Sequence, residues 1–258
     1  MTIKEIEYAN IAGESLLLDV RPPRAGSPGP HAAVVVIHGG GWTGGNRRDD
    51  LPFLDALADA GLVVFSIEYR LAPKHRWPAC MDDVQTAIAW VTLHAAEHGA
   101  DASRLGLIGY SAGGHLACHA AVIDRSPNIA AVALLAAPTD HVLDNFRRGG
   151  LSPSLQQLLG KEVADAETIE TLWRISPINH VVPGLPPFLL MNGTHDQSVP
   201  HAQSAHLHQR LSDLGVKSDL VTLEGAEHRI RNWPQANAGY REQLATWMKQ
   251  TLASPTRQ

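Results

Sequence analysis

Short apolar runs that alternate with helix-like stretches constrain this chain more than any other feature. The run His31-Ala-Ala-Val-Val-Val-Ile-His38 has the β-branched composition of a strand buried on both faces. Leu62 to Glu68, Leu105 to Ile108, Ala130 to Ala136 and Pro187 to Asn192 repeat the theme, and Lys217 to Leu223 closes it. Between these runs the pattern predicts helices over Asp50 to Ala60, Pro78 to Glu97, His201 to Leu214 and Gln235 to Leu252. Such alternation predicts an α/β protein, with a mostly parallel sheet covered by helices on both faces. Ahead of it, Ile3 to Val20 alternates loosely and predicts one or two antiparallel strands. Arg21 to Pro30, with four prolines and two glycines, predicts a loop.

One stretch breaks the rhythm. From His141 to Pro186 there are helix-like segments at Ser154 to Leu159 and Ala166 to Ile175, but no strand. An insertion of this size is too short for a domain of its own. Excursions near the carboxyl ends of strands commonly roof the ligand crevice of an open α/β sheet. The expectation is therefore one domain over residues 1–258 with a small lid at about 141–186.

Composition narrows the function classes. The net charge of −5 and the lack of a Lys/Arg cluster beside aromatic residues argue against nucleic acid as a partner. No apolar run approaches the roughly 20 residues that span a membrane. The acidic start, Met1 to Glu7, lacks the apolar core of a signal peptide, so a cytoplasmic location is the default expectation. The two cysteines, Cys80 and Cys118, read as small buried hydrophobes. Fourteen histidines invite a metal, but His115/His119 and His201/His206/His208 lack companion carboxylates or thiolates. No metal or other cofactor is expected. Oligomeric state is not encoded in any readable pattern.

The chemistry is concentrated around Gly109-Tyr110-Ser111-Ala112-Gly113, which follows an apolar run and precedes a helical pattern. Strand, tight turn and helix with a serine at the apex make Ser111 the candidate nucleophile. A serine needs a base, a carboxylate to hold that base, and backbone donors for the oxyanion. Each has a candidate at a strand end. His228 follows Lys217 to Leu223, and Asp196 follows Pro187 to Asn192, giving the order Ser, Asp, His. Asp140 and Glu227 are rivals for the acid. Asp140 also follows a strand, while Glu227 would have to fold back on its neighbour. Three successive glycines in His38-Gly39-Gly40-Gly41-Trp42 expose bare backbone to a crevice, as an oxyanion loop requires. A phosphate-cradling loop is the competing reading, but the spacings of both common nucleotide fingerprints are absent.

Together these stretches resemble the α/β-hydrolase family of serine esterases, in the branch with a His-Gly-Gly-Gly-Trp oxyanion loop. That branch includes relatives of hormone-sensitive lipase, carboxylesterases, feruloyl and acetylxylan esterases, and kynurenine-formamidase-like enzymes. The matching residues are His38 to Trp42, Glu68 to Pro73, Gly109 to Leu116, Asp196 and His228. The resemblance implies Ser111 as nucleophile, His228 as acid and base, and Asp196 as its orienter. It implies the amides of Gly40, Gly41 and Ala112 as the oxyanion hole, with His38 bracing the loop. Tyr69 to Ala79 would brace the same loop, although Lys74 stands where relatives often carry a glutamate. The large N-terminal cap of many lipase relatives is missing, which disfavours lipid-sized substrates.

The expected partner is thus a small-molecule ester with a short acyl chain, with an acetyl ester of a carbohydrate as its leading example. An arylformamidase using the same triad is the nearest alternative. A hydrolase fold that only binds a small ligand is the alternative from another class.

Overall fold

The computed structural model describes residues 2–24, 29–49, 51–126 and 128–253. Eight strands form one sheet: β1 (Lys4–Ile11), β2 (Glu14–Arg21), β3 (His31–Ile37), β4 (Val63–Ile67), β5 (Ala100–Tyr110), β6 (Ile129–Leu135), β7 (Phe188–Gly193) and β8 (Ser218–Leu223). Their spatial order is β1-β2-β4-β3-β5-β6-β7-β8. β1 and β2 form an antiparallel hairpin, and β2 meets β4 antiparallel. Every other pairing is parallel.

The parallel strands read as continuous apolar runs because helices cover both of their faces. One face carries Val35, Ile37, Phe65, Leu105 and Leu107 into a core shared with α2 (Ala79–His94) and α3 (Ala112–Val122). The other carries Val34, Val36, Val64 and Ile108 against α1 (Leu54–Asp59) and α8 (Tyr240–Thr251). Gly106 permits this second contact. A Cβ there would stand 2.6 Å from the Met248 methyl carbon of α8.

Several sequence expectations shift at their ends. The first helix starts at Leu54 rather than Asp50, and Asp50 itself lies outside the described residues, as do positions 25–28 of the predicted loop and Met1 of the N-terminal reading. Helix α2 stops at His94 and passes into a 3-10 turn over Ala95–His98. β5 begins at Ala100, well before the apolar Leu105. The closing helix starts at Tyr240, after a 3-10 turn over Ile230–Gln235.

The stretch 141–186 is helical throughout its regular parts: α4 (His141–Arg148), α5 (Pro153–Leu159), α6 (Ala166–Ile175) and a 3-10 turn over Pro177–His180. α4 was not expected. α7 (His201–Asp213) then packs on β8 and β7. Asp140, Ser152 and Asp165 cap the three inserted helices by accepting from Leu143 N, Leu155 N and Thr168 N. Among the described residues no helix is long and apolar enough to cross a membrane.

Candidate active site

Four loops leave the carboxyl ends of parallel strands on the same edge of the sheet. They follow β3, β5, β7 and β8, so the sequence-predicted site residues arrive together. Ser111 follows β5 in a sharp elbow, with φ 53° and ψ −120°. A non-glycine residue held there stores on the order of 1–3 kcal/mol of strain. The surroundings enforce the turn, because a Cβ on Gly113 would meet the Ile37 and His38 carbonyl oxygens at 2.2 and 2.3 Å. Only a bare backbone lets α3 start this close to β3.

Ser111 Oγ lies 3.0 Å from His228 Nε2. On the other side of the ring, His228 Nδ1 lies 2.7 Å from Asp196 Oδ2. Asp196 is buried, and its second oxygen accepts from the amides of Ser198 at 2.9 Å and Val199 at 2.8 Å. With those donors on one oxygen, the carboxylate points the other oxygen at the ring. Neither rival is bonded to the ring. Asp140 accepts from Leu143 N as the cap of α4, and Glu227, adjacent to His228, is exposed.

The glycine loop lies beside this chain of hydrogen bonds. Its turn closes on the Gly40 carbonyl, which accepts from Thr43 N and Gly44 N. Gly40 has φ +112°, and a Cβ there would strike the Gly44 carbonyl oxygen at 2.1 Å. Gly40, Gly41 and Ala112 all line the cavity that contains Ser111 and His228. Ala112 is also the first residue of α3, where free N–H groups and the helix dipole favour negative charge.

His38 is buried and stacks on Tyr69 with ring centroids 4.3 Å apart, while its Nδ1 donates to the Gly39 carbonyl at 2.7 Å. Burial lowers its pKa despite that hydrogen bond, so the ring is a neutral strut. The Tyr69 hydroxyl donates to the His38 carbonyl, and Ala72 N donates to the Trp42 carbonyl. The Tyr69 segment therefore touches the glycine loop at both ends. Lys74 pairs with Glu14 of β2 at an exposed position and takes no part in those contacts.

Sequence reasoning missed four side chains here. The Tyr110 ring stacks on His228 at 5.5 Å and its hydroxyl donates to the His228 carbonyl. Burial pushes that phenol up to about 12, so it stays a donor at neutral pH. Asn192, buried at the end of β7, donates to Asp196 Oδ2 and to the Val199 carbonyl. A lone amide closing an apolar strand just before the acid was the available signal. From the insertion, Ser154 lies over Gly41, and Arg148 joins Asp144 to the Ser198 carbonyl.

The cavity has a volume of about 740 Å³ and opens beside Ser111. Trp42, Pro138, Leu155 and Val199 give it apolar walls, and Asp144, Arg148, Gln157 and Gln197 give it polar ones. A separate hollow of about 850 Å³ lies near β1 and β2, but its Arg47 and Arg48 are already paired with Asp19 and Glu5. Among the described residues no group of His, Cys, Asp and Glu suits a metal ion. His115 and His119 are instead packed against Trp77.

A mostly parallel sheet with a serine elbow after β5, and acid and histidine loops after β7 and β8, defines an α/β-hydrolase. The chain belongs to the BD-FAE family, whose model matches residues 18–211. It is similar to the probable carboxylic ester hydrolase LipM of Mycobacterium tuberculosis, 31% identical over 78% of this chain and 49% of that protein. It is likewise similar to ethyl acetate hydrolase of Pseudomonas putida, 31% identical over 81% of this chain and 69% of that one. Among solved structures, a propionate-bound esterase of the Planctomycetes species Thermogutta terrifontis superposes with a TM-score of 0.79. It is 25% identical, with 99% of this chain and 96% of that one covered. The chain spans about half the length of the curated relatives LipM, LipQ and LipC that it matches.

Proposed function

We propose that the chain is a carboxylic ester hydrolase that works by two-step acyl transfer from Ser111. The observation that carries this reading is the continuous hydrogen-bonded chain Ser111–His228–Asp196 opening onto a cavity beside a glycine loop. His228 Nε2 takes the Ser111 proton as Oγ attacks the ester carbonyl. The oxyanion forms against the amides of Gly40, Gly41 and Ala112, where one donor contributes about 3 kcal/mol to the transition state. His228 then returns the proton to the leaving alcohol, and water activated by the same ring releases the acid. Asp196 holds the ring in the tautomer with a bare Nε2 and stabilises the imidazolium.

The same reading takes residues 1–258 as one catalytic unit in which 141–186 is a lid, since α4 and α5 supply part of the cavity wall. Short acyl groups are favoured. The relative named for ethyl acetate and the neighbour holding propionate both support a small acyl site. The polar wall of Asp144, Arg148, Gln157 and Gln197 suits a hydroxyl-rich alcohol, such as an acetylated sugar. Hydrolysis of p-nitrophenyl acetate, with labelling of Ser111 by a fluorophosphonate, tests the mechanism. Ser111→Ala should remove both signals while the protein stays folded. Full activity in that variant would exclude Ser111 as the nucleophile. A parallel assay on N-formylkynurenine separates ester from formamide hydrolysis.

A further inference from the structure

Three adjoining rings, two of them in the cavity wall and one behind it, are not used by the proposed triad. Trp42 belongs to the glycine loop, His115 stands one helical turn beyond Ser111 on α3, and His141 opens α4. They are 4%, 0% and 1% exposed. Their centroids lie close together, with Trp42 5.4 Å from His115 and 5.7 Å from His141, and the two imidazoles 4.5 Å apart. Each ring leaves one nitrogen with no hydrogen-bond partner among the protein atoms: Trp42 Nε1, His115 Nδ1 and His141 Nε2.

The chemistry of those nitrogens is defined by their neighbours. His115 Nε2 lies 2.8 Å from the Ile175 carbonyl, which can only accept, so that nitrogen carries the proton. Its Nδ1 is then a bare lone pair in the neutral ring. Trp42 Nε1 is a donor only, and His141 Nε2 is a donor in one of its two tautomers. Burial keeps both imidazoles neutral, with His141 pushed down to about 4 and His115 lower than its usual value. Two donors and one acceptor on three adjoining buried rings match the hydrogen-bonding capacity of one water molecule. Buried polar groups in native proteins are almost always satisfied in some such way.

We propose that Trp42, His115 and His141 enclose one ordered water and that this junction positions the glycine loop against the insertion. The water accepts from Trp42 Nε1 and His141 Nε2 and donates to His115 Nδ1. Trp42 follows Gly41 directly, so a shift of the indole moves the backbone beside the proposed oxyanion site. His115 also holds the far end of α6 through Ile175, and His141 holds the near end of α4. The junction therefore meets the insertion at two points. All three are positioning residues. The effect on catalysis rests on the hydrolase reading above, whereas the water does not.

Two measurements test the proposal separately. A high-resolution crystal structure of the unmodified protein should show a water within hydrogen-bond distance of all three nitrogens. Nitrogen-15 spectra of the histidines should show His115 protonated at Nε2 with Nδ1 accepting a hydrogen bond. A dry junction, or the opposite tautomer at His115, overturns the water irrespective of any activity. For the positioning role, His141→Phe keeps the ring and removes the donor. It should lower kcat for p-nitrophenyl acetate about tenfold with KM nearly unchanged, and His141→Gln should recover most of the loss. A wild-type kcat in folded His141→Phe overturns the positioning role. If the unmodified protein hydrolyses no ester, the hydrolase reading fails and the crystal and nitrogen-15 results still decide the water.

Discussion

Ser154 of α5 lies directly over Gly41, so that a Cβ added to the glycine would stand 3.1 Å from the Ser154 Cβ. The inserted helix thus contacts the backbone proposed to bind the oxyanion. Gly41 has φ +60°, and Gly40 has φ +112° with the Gly44 carbonyl oxygen 2.1 Å from where a Cβ would sit. These two glycines differ in what opposes a side chain. At Gly41 a side-chain neighbour has to move a few tenths of an ångström, whereas at Gly40 the obstacle is backbone.

Gly40→Ala is accordingly expected to be the more damaging change. It should lower kcat/KM for p-nitrophenyl acetate by at least about 100-fold, the scale of a lost or misplaced oxyanion donor. Gly41→Ala should cost less, because φ near +60° is strained by about 1–2 kcal/mol for alanine but reachable. Steady-state kinetics on both variants, with melting curves, checks the order. Equal activities would contradict the different obstacles at the two positions.

Asp196→Asn tests the orientation of His228. Asparagine can still accept from Ser198 N and Val199 N, so the fold should persist. Its amide would face His228 Nδ1 and favour the tautomer protonated at Nε2, which cannot take the Ser111 proton. Loss of kcat by roughly 10³–10⁴ is expected at neutral pH. Circular dichroism should remain unchanged, and retention of more than a tenth of the activity would exclude this role for Asp196.

Arg47 carries a structural prediction. Its side chain is 6% exposed and meets Asp19 at 2.9 Å, with Glu5 and Glu68 as further partners. Removing the guanidinium would strand these carboxylates beside the loop that continues from Gly45. Breaking a buried pair costs about 3–5 kcal/mol. Here Glu5 is 49% exposed and Arg48 still reaches both Glu5 and Asp19, which reduces the cost to about 2 kcal/mol. Arg47→Met should therefore lower Tm by roughly 5 °C. A calorimetric melt reads this directly.

Acid sensitivity follows from the buried imidazoles. His141 has its pKa pushed down to about 4 by burial, with Asp144 opposing and His119 adding to the shift. His115 is also lowered well below its usual value, by burial and by His141 and His119. Both rings titrate near 6.5 once unfolded. Between pH 6.5 and 4 the unfolded chain therefore binds more protons than the folded one. Stability is complete above pH 6.5 and is lost as pH falls through this window. For His141 alone the loss is on the order of 3 kcal/mol by pH 4. Urea midpoints at pH 7.5, 5.5 and 4.5 should decline, and His141→Phe should flatten that decline. A parallel pH profile in the variant would remove His141 as its cause.

The legibility of the fold follows burial. β3, β4, β6 and β7 are enclosed on both faces, so their residues spell out continuous apolar runs. The beginning of β5 was hidden because Asp101, Ser103 and Arg104 are polar and bond to one another. Helix α4 was hidden for the opposite reason. Leu143 and Phe146, two of its apolar residues, are 40% and 69% exposed, while His141, Asp144 and Asn145 are buried. A rule that turns apolar residues inward cannot find such a helix. Ser111, Asp196 and His228 were legible through turn chemistry and chain order. Tyr110, Ser154 and Arg148 were not, since each acts by a contact between segments far apart in sequence, whereas Asn192 bonds within its own loop and is marked only by a polar residue ending an apolar strand.

The Arg47 pairing ties Glu5, at the outermost strand of the sheet, to the segment that continues the glycine loop. Trimming or crowding β1 would consequently be felt at a loop on the other side of β2 and β4. Attachment of this protein to a surface through its N-terminal hairpin would thus place a mechanical load on the loop as well as on the sheet edge.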